Sequence, residues 1–295
     1  MKIITYHYIK SFSKKYPYAN FLDKKKFLEQ LIFFEKKFGI IKNEDEIFKK
    51  NNKVLLTFDD GFKDHFYAAK ILKKMNRIGI FFPTTSVITK KKFLNVHKSH
   101  LILGKIKADT ALKELISFFE TKKIKYEDIK LRNKFKKIYK KYKDTESKNK
   151  FKTIVNYSGD TNTQTKVLDY LIKKFKIKEN PNDYYLSKKD IKKMSDMNMI
   201  FGSHTHSHCL LSKLNYKNQE IEIKKSKSIL EKIIKKKLKF FCYPHGGKDS
   251  YNNNTLRILK KYNFEKSFTV IYGEASYRIF KKSSLELPRY DCNLF

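Results

Sequence analysis

Apolar and polar positions recur along this chain with two different periods, and the change of period marks its organisation. Residues 3–7 alternate weakly and predict a first strand ending at His7. Between Lys24 and Phe38, Phe27, Leu28, Leu31, Ile32, Phe34 and Phe38 fall at helical spacing. Val54 to Asp59 is a short apolar run that ends in acids and a glycine, the pattern of a buried strand. Phe66, Ala69, Ile71 and Leu72 predict a helix over Lys63–Met75, and Ile78–Val87 reads as a third strand. Strand alternating with helix predicts an α/β fold with a parallel sheet or barrel. From about Lys98 to Tyr185 the strand signal stops, and Ala108–Phe119, Tyr126–Tyr142 and Thr163–Phe175 predict helices. This stretch reads as a helical insertion, residues 98–185, inside a single domain spanning 1–295, where it packs and partly acts as a lid.

The strand–helix rhythm then returns. Ser187 is an expected N-cap for a helix through Asp196, followed by a strand over Met199–Ser203 and a long amphipathic helix over Asn215–Lys235. Strands are expected at Lys239–Pro244, Ser267–Ile271 and Leu285–Leu287, with a helix over Asn252–Tyr262. The total is about seven short strands.

Composition narrows the partners. The formal net charge is +37. The cations are nearly all lysine; the arginines are Arg77, Arg132, Arg257, Arg278 and Arg289. Specific phosphate and base readout favours arginine, so no specific nucleic-acid partner is expected. A weak, salt-sensitive attraction to anionic substrates, or peripheral attachment of the basic surface to a membrane, is the remaining role for the charge. No stretch has the length and apolarity of a membrane span. Cys209, Cys242 and Cys292 are widely spaced, without a CxxC pair, which fits a reducing compartment. The first residues are too short and polar for a signal peptide, so the expected location is the cytoplasm or its membrane face.

The chemistry gathers at strand ends. Val54-Leu55-Leu56-Thr57-Phe58-Asp59-Asp60-Gly61 runs a buried strand into two adjacent carboxylates. Two such groups need a cation or a shared proton. His204-Thr205-His206-Ser207-His208 follows another strand. Asp60, His204 and His208 make a plausible ligand set for one divalent ion, with His206 competing if the segment is extended. Asp59 is then free as a proton acceptor, or serves as a helix N-cap. In Tyr243-Pro244-His245-Gly246, a strand ending in proline and glycine can present a backbone N–H to a developing oxyanion.

Together these residues resemble the polysaccharide deacetylase family (NodB homology, carbohydrate esterase family 4). Thr57-Phe58-Asp59-Asp60, His204-Thr205-His206-Ser207-His208 and Phe241-Cys242-Tyr243-Pro244-His245-Gly246 are similar to its three motifs. The resemblance covers about residues 1–96 and 187–295 and is nearest the branch with an N-terminal Tyr-His strand and a Tyr-Pro-x-Gly motif. It implies a distorted (β/α)7 barrel and metal-dependent removal of an N-acetyl group from an amino sugar in a glycan, lipid-linked sugar or sugar nucleotide. It implies Asp59 as base and Asp60, His204 and His208 as ligands of one divalent ion, zinc first, with cobalt, nickel or manganese as alternatives. Tyr243, Pro244 and His245 become oxyanion- and substrate-binding residues. Two departures stand out: Lys239 occupies the place where the motif's arginine is expected, and no Leu-x-His follows Leu287. Thr5-Tyr6-His7 is similar to a permuted version of that motif, which implies His7 as the general acid, the alternative being a hydrogen-bonded core histidine; Arg289 is either the guanidinium beside Asp59 or an ordinary surface arginine. Two rival readings are a hydrolase of another amide or a cyclic imide on the same barrel, and a non-catalytic carbohydrate- or membrane-binding protein.

Overall fold

The computed structural model describes residues 1–124, 144–157, 160–276 and 284–295. The helix expected over Tyr126–Tyr142 lies outside the described residues. The chain divides into two compact units. The first comprises Met1–Ser11, Phe21–Lys92 and Pro181–Phe295; the second, Phe12–Asn20 and Phe93–Asn180.

The first unit holds the strands: β1 (Lys2–Tyr6), β2 (Val54–Asp60), β3 (Ile80–Pro83), β4 (Ile200–Phe201), β5 (Phe240–Cys242), β6 (Lys266–Phe268) and β7 (Tyr290–Asp291). Five form one sheet in the order β4-β3-β2-β1-β7, and β5 pairs with β6. Every pairing is parallel. Two parallel bridges, Ser203↔Phe241 and Phe268↔Leu287, link the sheets through single residues rather than continuous ladders. The unit is thus a mixed α/β structure on a parallel sheet, with every strand tip of that sheet at the same end.

Strand periodicity explains what lies inside. Ile3, Leu55, Ile80, Phe82, Phe240, Cys242, Phe268 and Leu287 share one core. Residues two apart face the same way, so Thr5 follows Ile3 and Thr57 and Asp59 follow Leu55 on that inner face. On the other face of the sheet, Tyr6, Phe58 and Phe81 stack in a row, with ring centroids 5.2 and 4.5 Å apart. The helix Lys24–Phe38 lays its buried Phe27, Leu31 and Phe34 on this side. Each buried aromatic contributes roughly 1.5–3 kcal/mol relative to exposure. Covering both faces is why β2 is buried along its whole length and shows no polar alternation.

The third strand is shorter than its apolar run suggests. It stops at Pro83, and Thr85–Lys90 turns into a short helix. Pro83 donates no hydrogen bond, and the next free amides bond away from the sheet: Ser86 N–H donates to the His206 carbonyl at 2.7 Å. Strand β7 escapes the sequence because it is two residues long and follows a proline. The stretch Leu285–Leu287, expected as a strand, contributes only the bridge at Leu287.

The second unit is helical among its described residues: Asn95–Lys105, Ala108–Thr121, Glu146–Tyr157 and Thr161–Lys174. Leu101, Ile102, Ala111, Leu115, Phe119, Phe151, Val167, Leu168 and Leu171 are among its buried apolar residues. Glu179 pairs with Lys15 and Lys105 at 3.0 and 2.7 Å, tying residues 12–20 to the unit's far end. No described helix in either unit is long and apolar enough to cross a membrane.

Candidate active site

The tip of β2 is built by a backbone reversal. Asp60 and Gly61 both adopt positive φ, +74° and +76°. A Cβ on Gly61 would stand 2.6 Å from the Cβ of Pro83, so only glycine fits the turn. The reversal swings Asp60 out of strand alternation while Asp59 stays on the inner face, which gives adjacent carboxylates separate surroundings.

Asp60 meets the two outer histidines of the His-Thr-His-Ser-His segment. Its Oδ1 lies 3.3 Å from Nε2 of His204 and 3.3 Å from Nε2 of His208. The ligand atoms of all three lie within 4.8 Å of one another. Tetrahedral ligands roughly 2.0–2.1 Å from a zinc-like ion stand about 3.3 Å apart, so the spacing fits an ion between them. The tautomer fits as well: His204 Nδ1–H donates to the Cys242 carbonyl at 2.8 Å, which leaves the Nε2 lone pair facing the cluster. His206 turns away. Its Nδ1 pairs with the Thr85 hydroxyl at 2.8 Å, so the extended alternative of the sequence does not occur.

Asp59 faces Arg289 in a two-pronged pair. Nη1 donates to Oδ1 at 2.9 Å and Nη2 to Oδ2 at 2.7 Å. The Arg289 side chain is fully enclosed; it also donates to the Thr269 carbonyl at 2.7 Å and the Thr57 hydroxyl at 3.0 Å. Thr5 and the Cys242 thiol approach Asp59 Oδ2 at 3.3 and 3.5 Å. Burial by itself would raise the Asp59 carboxyl, but the Arg289 charge and hydrogen bonds hold it well below the usual carboxylate range. Asp59 is therefore a carboxylate at any working pH. It does not cap a helix; the next helix begins at His65.

His7, half-buried at the tip of β1, lies close enough to Asp59 for its charge to bear on that carboxylate. Tyr243 and Pro244 are buried beyond β5, and the His245 ring stands 5.0 Å from that of His208. Burial, then His208 and His204, push His245 well below the ordinary histidine range, so it is neutral. The Tyr243 amide, read from the sequence as an open oxyanion donor, is not open: it donates to the Phe268 carbonyl at 3.2 Å. That bond extends the β5–β6 pairing by one residue past Cys242. The Tyr243 ring stacks on Tyr251, with centroids 3.9 Å apart, and its hydroxyl donates to the Leu285 carbonyl at 2.6 Å. Lys239 takes no part; it precedes β5 at the opposite end from the tip and pairs with Glu44 at 2.9 Å.

The family model for polysaccharide deacetylase matches residues 135–267, a span that includes His204, His208 and Tyr243 but not Asp59 or Asp60. The structure supplies the missing half of the site by bringing Asp60 onto those histidines. Over residues 135–267 the chain is similar to the polysaccharide deacetylase family. No curated protein matches the sequence. Among solved structures, the Streptococcus pyogenes deacetylase PplD in complex with acetate is similar over 99% of this chain and 91% of its own, with a TM-score of 0.61 and 19% identity. A de-N-acetylase from Aggregatibacter actinomycetemcomitans is similar over 99% and 95%, with a TM-score of 0.57 and 12% identity. IcaB from Ammonifex degensii is similar over 92% and 83%, with a TM-score of 0.54 and 14% identity. At these identities the likeness is one of fold.

Three residues around the site carry no clear signal in the sequence. Cys242 touches both halves of the site, through its carbonyl on His204 and its thiol 3.2 Å from Arg289 Nη2. His65 is fully buried among Phe58, Phe62 and Phe81, and its Nε2–H donates to the His7 carbonyl at 2.7 Å. Burial pushes this histidine down to about 4, so it serves as a fixed neutral donor behind His7. Glu222 binds the histidine loop from outside. The signals were weak in each case: a cysteine in an apolar run, a histidine at a helix start, and a glutamate on a charged helix.

Proposed function

We propose that the chain is a metal-dependent hydrolase that removes the N-acetyl group from an amino sugar in a glycan or a sugar-containing intermediate. One observation carries the reading: an Asp-His-His cluster at ion-ligand spacing stands beside a second carboxylate that Arg289 keeps ionised. Mere binding of a carbohydrate needs neither the second carboxylate nor its buried guanidinium.

Asp60, His204 and His208 would hold the ion, with zinc the first choice. When bound, such an ion polarises the acetamide carbonyl and makes nearby water more acidic. Asp59 accepts a proton from the attacking water, whose oxygen forms the new bond to the acetyl carbon. Arg289 fixes both oxygens of Asp59, so the acceptor is oriented before substrate arrives. His7 donates a proton to the sugar nitrogen as the C–N bond breaks, and His65 fixes the backbone from which His7 projects. The products are acetate and a free amino sugar.

Zinc-loaded protein incubated with N-acetylglucosamine oligomers is expected to release acetate and free amine in equal amounts. A parallel set of small aliphatic amides and cyclic imides is expected to react far more slowly. Faster turnover of an amide or imide lacking a sugar would reassign the substrate and leave the site chemistry intact.

A further inference from the structure

The segment between the two histidine ligands has an unusual backbone. Thr205 and His208 both sit at positive φ, +61° and +58°, a conformation that is strained for residues other than glycine. Something outside the loop has to over-determine it. Part of the support comes from the helix Thr85–Lys90, where Ser86 N–H donates to the His206 carbonyl at 2.7 Å. The Thr85 hydroxyl adds a bond to His206 Nδ1 at 2.8 Å, and within the loop the His208 N–H donates to the Thr205 hydroxyl at 3.0 Å. A further share comes from one carboxylate. Glu222 Oε2 accepts the backbone N–H of His206 at 3.0 Å and of Ser207 at 2.8 Å, and its Oε1 accepts the Ser207 hydroxyl at 2.8 Å. These are charge-assisted bonds, stronger than their neutral counterparts.

Glu222 is itself well anchored. It lies on the helix Tyr216–Ile234, whose Ile223, Ser226 and Leu230 are buried. Ser226 accepts the hydroxyl of Ser203 at 2.9 Å, just before His204. One helix thus grips the loop on both sides of its first ligand. We infer that Glu222 is a positioning residue that sets the chain's affinity for a divalent ion, by holding the loop in the conformation that aims His204 and His208 at Asp60. The inference rests on the metal-site reading above. Without Glu222 the Thr205 and His208 backbones relax, and the ligand spacing is no longer built before the ion arrives.

The same helix provides an internal control. Glu231 also accepts a loop amide, Leu238 N–H at 2.9 Å, and pairs with Lys227 at 2.9 Å, but it supports the approach to β5. The test is zinc affinity, measured by competition with a chromophoric chelator, for the wild type, Glu222→Ala, Glu222→Gln and Glu231→Ala, with amide hydrogen exchange read at His206 and Ser207. Glu222→Ala is expected to weaken zinc binding about tenfold or more, and to speed exchange at those two amides. Glu222→Gln, which keeps an accepting oxygen, is expected to recover part of the affinity and serves if the alanine variant does not fold. Glu231→Ala is expected to match the wild type. Affinity within about twofold of wild type in both Glu222 variants would overturn the inference, as would an equal loss in Glu231→Ala. If the wild type binds no zinc, the metal reading falls, and unchanged exchange at His206 and Ser207 in the variants would overturn the positioning role as well.

Discussion

Arg289→Met is expected to destabilise the folded chain by about 3–5 kcal/mol. The cause is the charge left behind. Asp59 is almost fully buried, and Arg289 supplies the only guanidinium among the described residues that reaches it. Removing the arginine leaves an ionised carboxylate in the core with Thr5 and a thiol as weak partners. The pH dependence gives the sign. In the wild type, Arg289 depresses the Asp59 carboxyl, so the pair's stabilisation is complete above the ordinary carboxylate range and fades only as pH falls below it. In the variant, burial without the guanidinium raises the carboxyl instead. The native state then binds more protons than the unfolded chain, and stability falls as pH rises from about 4 toward 7. Urea unfolding at both pH values reads this directly. The double variant Asp59→Leu with Arg289→Met, which removes both charges, is expected to regain most of the loss. A loss under about 1 kcal/mol at neutral pH, with no trend in pH, would show that the pair is not what holds Asp59 in place.

Asp59→Asn is expected to keep the ion and lose about 10²–10⁴ of the turnover. The amide is nearly isosteric but cannot accept a proton from water; Asp59 also stands at ion-ligand spacing from His204 and Cys242, but Arg289 already occupies both of its oxygens, so the ion is expected at Asp60, His204 and His208. Ion content and far-ultraviolet circular dichroism, read first, separate this loss from a loss of fold. Turnover within about threefold of wild type at unchanged ion content would remove Asp59 from the reaction.

How much of this could be read beforehand depended on how local each signal was. The Thr-Phe-Asp-Asp and His-x-x-x-His segments each carry their chemistry within a few residues, and the structure brings Asp60, His204 and His208 together. The choice between His204/His206 and His204/His208 turned on backbone sign at Thr205 and His208, which no side-chain pattern announces. The Tyr243 amide was misread because its partner, the Phe268 carbonyl, belongs to a strand paired only in three dimensions. Ile78–Val87 was read as one strand because an apolar run does not show where Pro83 ends the ladder. The helices Asn95–Lys105 and Glu146–Tyr157 carry lysines, histidines and serines among their apolar positions, which blurred their period. Glu222 and His65 were invisible for a related reason: each acts on a backbone group distant in sequence, 15 to 58 residues away.

Elemental analysis of the purified wild-type chain, alongside His204→Ala and His208→Ala, reads the proposed metal centre itself. About one zinc-class ion is expected per wild-type chain after loading, lost from both variants while each keeps its fold. Wild-type protein that takes up no divalent ion even with zinc supplied, or variants that retain it fully, would contradict the assignment of Asp60, His204 and His208 as the metal centre.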